Sequence, residues 1–256
     1  MITSASNSKI KYVCELRDSA KSRRRDKCFI VEGLRMFTET PIELITECYV
    51  TEGFLSSLKD EHKHKLDDIK YETVSDRVFE KMSGTVTPQG IMMVVKYPDY
   101  TAADIISKGG VILLLENIQD PGNLGTMLRT AEAAGVNGIL LSKGSVDIYS
   151  PKVIRSTMGA IYRMPFAYGD IFEMMDDLKK SDFKIHAAAL GFNSDYRDAD
   201  YTGNVAILIG NEGNGLTDKA IATATDTVTI PMDGRAESLN AAVSAAILMY
   251  EARRNR

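Results

Sequence analysis

The chain has 256 residues, 44% of them apolar, which is enough for one large domain or two of ordinary size. Its net charge of −4 gives no overall sign of nucleic-acid binding, and no apolar run approaches the roughly eighteen residues of a membrane span. Three cysteines without CxxC spacing and three scattered histidines argue against a disulfide framework and against any metal site. Because the N-terminus also lacks a signal-peptide core, the sequence predicts a soluble cytoplasmic protein that holds no metal and spans no membrane.

Positive charge is concentrated near the N-terminus. Residues 1–30 hold eight Lys or Arg against three Asp or Glu. A local basic patch on an acidic protein is compatible with binding a phosphate backbone, although a solvated helix end has the same composition. The candidate RNA-binding residues are Lys21, Arg23, Arg24, Arg25 and Lys27.

Short helix and strand patterns alternate through the first hundred residues. Asn7 or Ser8 caps a predicted helix that runs to about Asp18, and Ser75 caps a later one that runs to Lys81. The other predicted elements are strands at 28–33, 45–51, 71–74 and 91–96, helices at 34–39 and 55–66, a loop at 84–90 and a connection at 98–110. This alternation predicts a small α/β layer domain.

The remainder has the pattern of a parallel sheet with helices between its strands. Five consecutive apolar residues, 111–115, indicate a strand that is covered on both faces. The loop IQDPGN then leads into a helix from about Leu124 to Ala134, closed by Gly135, and Ser150-Pro151 is a second helix start. Further strands are predicted at 138–141, 162–167, 184–190, 205–209 and 227–231. The predicted fold class is therefore α/β and doubly wound.

Three polar loops that contain glycine follow strands of this predicted sheet, at 117–125, at 210–215 and before Ser238. In open parallel sheets, ligands bind beyond the carboxyl ends of the strands. Any one loop is as well explained by an ordinary turn, but three at strand ends favour a site. Common nucleotide and hydrolase motifs do not fit, because GNEGNG is not GxGxxG and neither GxxxxGK[ST] nor GxSxG occurs.

The segment 230–251, IPMDGRAESLNAAVSAAILMYE, ends a strand, passes through a polar turn and becomes the last helix. Ser238 and Asn240 stand at the helix start, where backbone N–H groups lack partners and the helix dipole is positive, so this junction suits a polar ligand as well as a plain cap. Helical spacing predicts one buried face, made of Leu239, Val243, Ala246, Ile247 and Tyr250.

The three loops together resemble the three motifs of the SpoU/TrmH family, in the SPOUT superfamily of RNA methyltransferases. The first motif is NIQDPGNLGTMLRTAEAAGV, the second ILIGNEGNGL and the third IPMDGRAESLNAAVSAAILMYE, in the family's order. Residues 3–40 resemble the family's N-terminal substrate-binding domain, which is similar to a small ribosomal-protein fold. The resemblance implies an RNA substrate-binding α/β domain at 1–103 and a catalytic, S-adenosylmethionine-binding domain at 104–256.

The resemblance also implies what this catalytic domain does. It implies transfer of a methyl group from S-adenosylmethionine to a ribose 2′-hydroxyl of RNA, in rRNA by preference and in tRNA as an alternative. It further implies a deep trefoil knot that forms the cofactor pocket, and a homodimer in which the apolar face of the last helix takes part.

Matching the motifs residue by residue assigns roles to single positions. Asn123 and Arg129 match polar positions of the first motif near the reacting ribose, Glu212 matches the acidic residue of the second motif, and Ser238 and Asn240 match the polar pair of the third. These five are the predicted catalytic residues. Cofactor contacts, largely through backbone, would fall on Leu190, Gly191, Gly210, Asn211, Gly213, Ile230, Met232 and Leu239.

The chemistry of methyl transfer suits these residue types. Displacement at a sulfonium needs position more than acid strength. Because arginine stays charged in proteins, we expect Arg129 to hold a phosphate or the incipient alkoxide, and not to remove a proton. A surface ion pair with Glu132 is the alternative for Arg129. Glu212 has two open interpretations, as a site residue and as a structural acceptor of backbone N–H groups.

Two other functions remain open from the sequence. One is an RNA-binding or ribosome-assembly protein with this fold and no turnover, although five intact site residues argue against it. The other is a nucleotide-binding enzyme of small-molecule metabolism, which the basic N-terminal segment makes the weaker choice.

Overall fold

The computed structural model describes residues 1–192 and 194–254, and the chain divides into two compact units. Unit 1 comprises Met1–Asp99 and Asp147–Tyr162, and unit 2 comprises Tyr100–Val146 and Arg163–Arg256. A stretch from the middle of the chain therefore belongs to the first unit. The two units are compact parts of the fold and are not defined by function. The predicted functional boundary between residues 103 and 104 therefore stays a prediction.

Unit 1 is built on a four-stranded sheet in the order β1-β4-β2-β3. Its strands are β1 (Cys28–Glu32), β2 (Ile45–Val50), β3 (Glu72–Thr73) and β4 (Ile91–Lys96). Its helices are α1 (Ser8–Asp18), α2 (Ala20–Asp26), α3 (Leu34–Glu39), α4 (Glu52–Ser57), α5 (Asp60–Asp67), α6 (Asp76–Met82) and α9 (Pro151–Thr157). Strand β4 runs antiparallel to β1 and β2, and β3 pairs parallel with β2. This mixed sheet with helices agrees with the small α/β layer predicted for this part of the chain.

Helix α1 follows the prediction closely. The Asn7 side chain accepts a hydrogen bond from the backbone N–H of Lys9 and so caps the helix. Ile10, Val13 and Leu16 are fully buried and join the core that lies against the sheet. The apolar spacing of this helix thus identified the face that packs.

Unit 1 also holds the inserted segment 147–162 through polar and aromatic contacts. The Arg23 guanidinium donates to one carboxylate oxygen of Asp147 from Nε at 2.9 Å and from Nη2 at 2.7 Å. The Tyr149 ring stacks on that of Tyr97, with centroids 3.6 Å apart. At the far end, the Tyr162 hydroxyl lies 2.8 Å from Thr40 Oγ1. The segment is therefore anchored to unit 1 along its whole length.

Unit 2 is built on a six-stranded sheet in the order β10-β8-β9-β5-β6-β7. Its strands are β5 (Val111–Leu115), β6 (Gly138–Ser142), β7 (Phe166–Gly169), β8 (Lys184–Ala188), β9 (Val205–Ile209) and β10 (Asp226–Val228). Its helices are α7 (Ala102–Ser107), α8 (Pro121–Ala134), α10 (Ile171–Lys180), α11 (Asp218–Thr223) and α12 (Ala241–Arg254). Every pairing of these strands is parallel, which confirms the predicted parallel α/β fold.

The central strands of this sheet are buried on both faces. All residues of β5, β6 and β9 are buried, as their continuous apolar runs predicted. Helices α7, α10 and α11 contribute side chains to the core on one face, whereas α8 and α12 pack against each other and against central strands. The carboxyl ends of β5 and β9 consequently open side by side at one edge of the sheet.

Helix α8 begins at Pro121, three residues earlier than predicted. The Asp120 side chain accepts from the backbone N–H of Asn123, and Pro121 occupies the first helical position. The Asp-Pro-Gly that was predicted to belong to the loop is therefore a helix start. As predicted, Gly135 ends the helix in the left-handed conformation, with φ at 74°.

The buried face of α12 was predicted wrongly. Its buried residues are Ala242, Ala245, Leu248, Met249 and Ala252. Val243 and Tyr250, assigned to the buried face, are 47% and 49% exposed. The helix is apolar almost all round, and its small alanine side allows the closer approach to α8. The helix also begins at Ala241 and not at Ser238.

Four smaller predictions also need correction. The helix predicted at 55–66 is two helices, α4 and α5, separated where Leu58 turns to an extended, buried conformation. The connection at 98–110 contains α7, which a capping box between Thr101 and Asp104 begins. The strand predicted at 162–167 lies at Phe166–Gly169, since Tyr162 ends a 3₁₀ turn. Ser75 precedes α6 without forming a side-chain cap.

Candidate functional site

Two of the three predicted loops start next to each other because their strands pair. Leu115 at the end of β5 is in register with Ile209 at the end of β9, and the backbone N–H of Glu116 donates to Ile209 O at 2.9 Å. The segments after these residues, 116–120 and 210–216, therefore leave the sheet side by side. The third loop ends at Asn240, just before α12, where the Asn240 side-chain oxygen accepts the backbone N–H of Ala242 at 2.9 Å.

Glu212 connects these segments through its carboxylate. It accepts the backbone N–H groups of Gln119 and Asp120, both at 3.0 Å, and the Asn123 side-chain amide at 3.1 Å. The Asn240 amide donates in turn to Asn123 Oδ1 at 3.0 Å. Three segments that are distant in sequence, at 119–123, at 212 and at 240, are thus joined by hydrogen bonds.

The same contacts set the ionisation of Glu212. Burial raises the pKa of this carboxyl, but the hydrogen bonds from Gln119, Asn123 and Asp120 outweigh burial and hold the pKa below its usual value. Glu212 is therefore a firmly ionised acceptor of N–H groups. This geometry matches the structural interpretation of the residue that the sequence left open.

Asn211 gives the neighbouring loop its shape. Its side-chain oxygen accepts the backbone N–H groups of Gly213 and Asn214, and its amide donates to Asn117 O at 2.8 Å. Its backbone also exchanges two hydrogen bonds with Gly215. The side chain and the backbone of Asn211 are therefore both engaged in holding the loop in shape.

A cavity of about 420 Å³ lies against the second and third loops. Its apolar lining comes from strand ends and from neighbouring elements, and it includes Ile209, Ile221, Val228, Ile230 and Leu239. Backbone and polar groups come from the whole stretch 210–216 and from Glu237 and Ser238. A cavity of this size and mixed lining suits a small molecule that has both an aromatic part and polar groups.

The predicted cofactor residues fall mostly in this cavity. It is lined by Leu190, Gly210, Asn211, Gly213, Ile230, Met232 and Leu239. Gly191 does not line it. Sequence reasoning missed Ala188, Ala189, Ile209 and Val228, which line the cavity at or near the carboxyl ends of β8, β9 and β10. The rule that ligands bind at such strand ends was the signal that could have found them.

The five predicted catalytic residues are only partly brought together. Glu212 and Ser238 line the cavity, and the hydrogen-bonded chain places Asn123 and Asn240 beside Glu212. Arg129 lies two turns into α8 with its side chain exposed, outside the cavity lining.

Arg129 is available for a ligand. Among residues 1–192 and 194–254 it has no hydrogen bond or ion pair, and Glu132, its expected alternative partner, pairs with Arg163 at 2.8 Å. The alternative of a surface ion pair with Glu132 is therefore not formed. The positive charge of Arg129 remains open to an anion.

The basic patch is heterogeneous. Lys21, Arg24 and Lys27 are exposed, and Arg25 is exposed but paired with Asp26 and Glu15. Arg23 is buried, and its guanidinium donates to Leu16 O, to Arg17 O and to Asp147. Since all these donors are directed inward, an RNA contact through Arg23 does not fit this geometry.

The part of the chain that the structure describes contains neither a candidate metal site nor a candidate membrane span. No group of three or more His, Cys, Asp or Glu side chains there could hold a metal ion. No described helix combines the length and the apolar character needed to traverse a bilayer.

Comparison with known protein families assigns both halves of the chain. The model of the SpoU rRNA methylase family matches residues 110–250, and the model of an MRM3-like substrate binding domain matches residues 7–93. The first match contains the whole cavity lining.

Individual relatives match along almost the whole chain. A 23S rRNA (guanosine(2553)-2′-O)-methyltransferase of Bacillus subtilis, RlmP, is 33% identical and covers 98% of both chains. The AdoMet-bound structure of an rRNA methyltransferase from Sinorhizobium meliloti superposes with a TM-score of 0.86 at 28% identity, over 99% of this chain and 97% of that one. The SpoU methyltransferase AviRb from Streptomyces viridochromogenes, in complex with AdoMet, gives a TM-score of 0.86 at 25% identity over 97% and 98%.

Proposed function

The chain belongs to the SpoU rRNA methylase family, and from this premise we propose that it transfers a methyl group from S-adenosylmethionine to a ribose 2′-hydroxyl of ribosomal RNA. The observation that carries the proposal is the cavity at 210–216 and 230–239, beside the chain of Glu212, Asn123 and Asn240. Ribosomal RNA is the preferred substrate because the similar RlmP, matched end to end, is named for 23S rRNA.

The cavity suits S-adenosylmethionine. Apolar side chains such as Ile209, Val228 and Leu239 provide surface for an adenine ring, and backbone groups of 210–216 provide donors and acceptors. Exposed Glu237 lines the same cavity and supplies a negative charge near a ligand whose methyl donor is a sulfonium cation. Bound there, the cofactor supplies the electrophilic methyl group.

The residues around the cavity position the ribose. The Asn123 amide donates to Glu212, and the Asn240 amide donates to Asn123, so the two amides are held in a fixed orientation. Arg129, free of partners among the described residues, binds the adjacent phosphate or the alkoxide that develops as the hydroxyl attacks. A preorganised donor of this kind typically contributes about 10²–10³ in rate.

Unit 1 is the proposed RNA-binding part. Lys21, Arg24, Arg25 and Lys27 are exposed on or just after α2, where they can meet phosphate groups. Arg23 is excluded from this surface and serves the fold. Binding through these cations weakens as salt rises, because each phosphate contact releases a counterion.

We also propose that the chain forms a homodimer through α12 and carries a trefoil knot in unit 2. Val243 and Tyr250 are exposed, and with the half-buried Ile247 they recur at helical spacing on one side of α12. An exposed apolar stripe of this kind is typical of an interface. The knot is supported by the meeting of 188–190, 210–216 and 230–241 around one cavity, which is the arrangement that the resemblance implies.

A methylation assay tests the proposed activity. The protein is incubated with S-adenosylmethionine labelled in its methyl group and with unmethylated 23S rRNA, 16S rRNA or bulk tRNA in separate reactions. We expect label in rRNA, and digestion followed by mass spectrometry should place it on a ribose 2′-oxygen. Label in tRNA alone would move the substrate to tRNA, label on a base would contradict the reaction, and absence of label in all three would favour a binding protein without turnover.

A further inference from the structure

A buried carboxylate outside the cavity holds the cavity's main loop. Glu116 is only 3% exposed and stands directly after β5. It is not among the residues that line the cavity. Its side chain accepts two hydrogen bonds from one residue, from the Thr217 N–H at 2.9 Å and from the Thr217 hydroxyl at 2.8 Å. Two contacts to a single residue fix both its position and its orientation.

Glu116 closes the loop 210–216 at both ends. At the start of the loop its own N–H donates to Ile209 O at 2.9 Å, and at the end its carboxylate holds Thr217. All seven residues between these points line the cavity. The next residue, Asn117, adds a third contact, because its carbonyl accepts the Asn211 amide at 2.8 Å.

We propose that Glu116 is a positioning residue for binding of the methyl donor, an inference that rests on the proposed function. The loop 210–216 contains three glycines and has strong conformational freedom when its ends are released. By fixing Thr217, Glu116 keeps the loop in the conformation that leaves the cavity open to the ligand. Glu116 acts through Thr217 and does not contact the ligand.

The consequence for affinity follows from the population of the ordered loop. The apparent dissociation constant equals the intrinsic one divided by the fraction of molecules in the binding-competent state. A weakened anchor therefore raises the dissociation constant and the KM for S-adenosylmethionine. It leaves kcat unchanged at saturating cofactor, because the occupied complex is the same.

The chain offers variants that separate positioning from stability. Thr217→Val keeps the backbone contact to Glu116 and loses the hydroxyl contact, and it also loses the cap of α11, in which the hydroxyl accepts the Ala220 N–H at 3.2 Å. Thr101→Val removes a comparable hydroxyl, which donates to Asp104 at 2.6 Å and caps α7 in the same unit, but does not touch the loop. Glu116→Gln is the conservative variant, since an amide accepts from the Thr217 N–H and donates to its hydroxyl oxygen.

The test is isothermal titration of the full-length protein with S-adenosylmethionine, together with steady-state kinetics. For Thr217→Val we expect a dissociation constant and a KM raised by up to about tenfold, because one lost hydrogen bond to a charged acceptor lowers the binding-competent fraction by at most that factor, with kcat within twofold of the unaltered protein. Glu116→Gln should bind within about threefold of the unaltered protein, and Thr101→Val should bind normally while lowering the Tm by a similar amount to Thr217→Val.

The possible failures are distinguishable. If the unaltered protein does not bind S-adenosylmethionine, the proposed function is wrong. If it binds and Thr217→Val binds equally well, or if Thr101→Val weakens binding as much, the positioning role of Glu116 is wrong while the function stands. Should a variant lose kcat and keep its KM, Glu116 would act in the chemical step and the inference would also be overturned.

Discussion

At the scale of single residues, the three loops contain two kinds of polar side chain. Hydrogen bonds join Glu212 to Asn123 and Asn123 to Asn240, and Glu212 also accepts two backbone N–H groups, so these three side chains shape the site. Arg129 is exposed and has no partner in the described part of the chain, so it is available to shape the reaction. Glu212 is a poor proton acceptor, because hydrogen bonds hold its pKa below the usual value despite burial.

Arg129→Ala should slow methylation strongly and leave cofactor binding intact. The guanidinium lies outside the cavity lining, so we expect the dissociation constant for S-adenosylmethionine to stay within about twofold, whereas kcat falls by about 10²–10³. Arg129→Lys, the matched control, keeps the charge without the planar fork and should recover part of the rate. Titration with S-adenosylmethionine measures the dissociation constant, and single-turnover assays with rRNA measure the rate of methylation. Turnover retained by the alanine variant would remove Arg129 from the mechanism.

The sequence predicted which residues occur in the loops better than what each residue does. The structure joins Asn123, Glu212 and Asn240 by hydrogen bonds, and seven of the eight expected cofactor positions line the cavity, while the roles of these residues stay predictions. The sequence could not show that Arg23 is buried, because its partner Asp147 is more than a hundred residues away. A basic run looks uniform in sequence, and only the tertiary fold separates its structural arginine from its exposed cations.

At the scale of elements, apolar runs and caps predicted most strands and many helix ends. Strands β5 and β9 and helices α1 and α3 lie where the patterns placed them. The buried face of α12 could not be predicted, because the helix is apolar almost all round and its packing partner α8 decides which side is covered. The position of α9 was predicted from Ser150-Pro151, but nothing local shows that this helix belongs to unit 1.

The attachment of the segment 147–162 to unit 1 gives a stability prediction. Asp147→Asn removes the charge opposite the buried Arg23 guanidinium, whose side chain is 5% exposed, and breaking such a buried pair typically costs about 3 kcal/mol. The control is Asp26→Asn, which affects an ion pair with the exposed Arg25 and should cost much less stability, because solvent screens exposed pairs. Urea unfolding of both variants measures the difference. Equal, small losses would show that the Arg23–Asp147 contact does not hold the segment.

At the scale of the whole molecule, stability should depend on pH through His186. This residue lies in β8 with no exposed surface, and burial lowers its pKa below the usual value despite the nearby Asp200 carbonyl and Asp226 carboxylate. Below about pH 6.5 the unfolded chain takes up a proton that the folded chain refuses. The free energy of unfolding should therefore be constant above that pH, fall as the pH drops towards the lowered pKa, and level off below it.

His186→Gln should flatten this dependence, because glutamine still donates to the Asp200 carbonyl and does not titrate. Urea midpoints at pH 7.5, 6.5 and 5.5 are the measurement. An unchanged slope in the variant would mean that other groups carry the acid sensitivity.

The proposed homodimer is tested at the same scale. Tyr250→Glu places a charge on the exposed apolar stripe of α12, where Tyr250 is 49% exposed in the single chain and its loss should not disturb the core. We expect light scattering to show a dimer for the unaltered protein and a monomer for this variant, with similar circular dichroism. A dimer in both cases would place the interface elsewhere.

Segments distant in sequence converge into one cavity, in which we propose that the methyl donor binds. Hydrogen exchange with and without S-adenosylmethionine tests this binding, because it reports each segment separately. We expect slower exchange at 188–190, at 209–216 and at 228–241 together, with unit 1 unchanged. Protection confined to one of these segments, or located in unit 1, would contradict it.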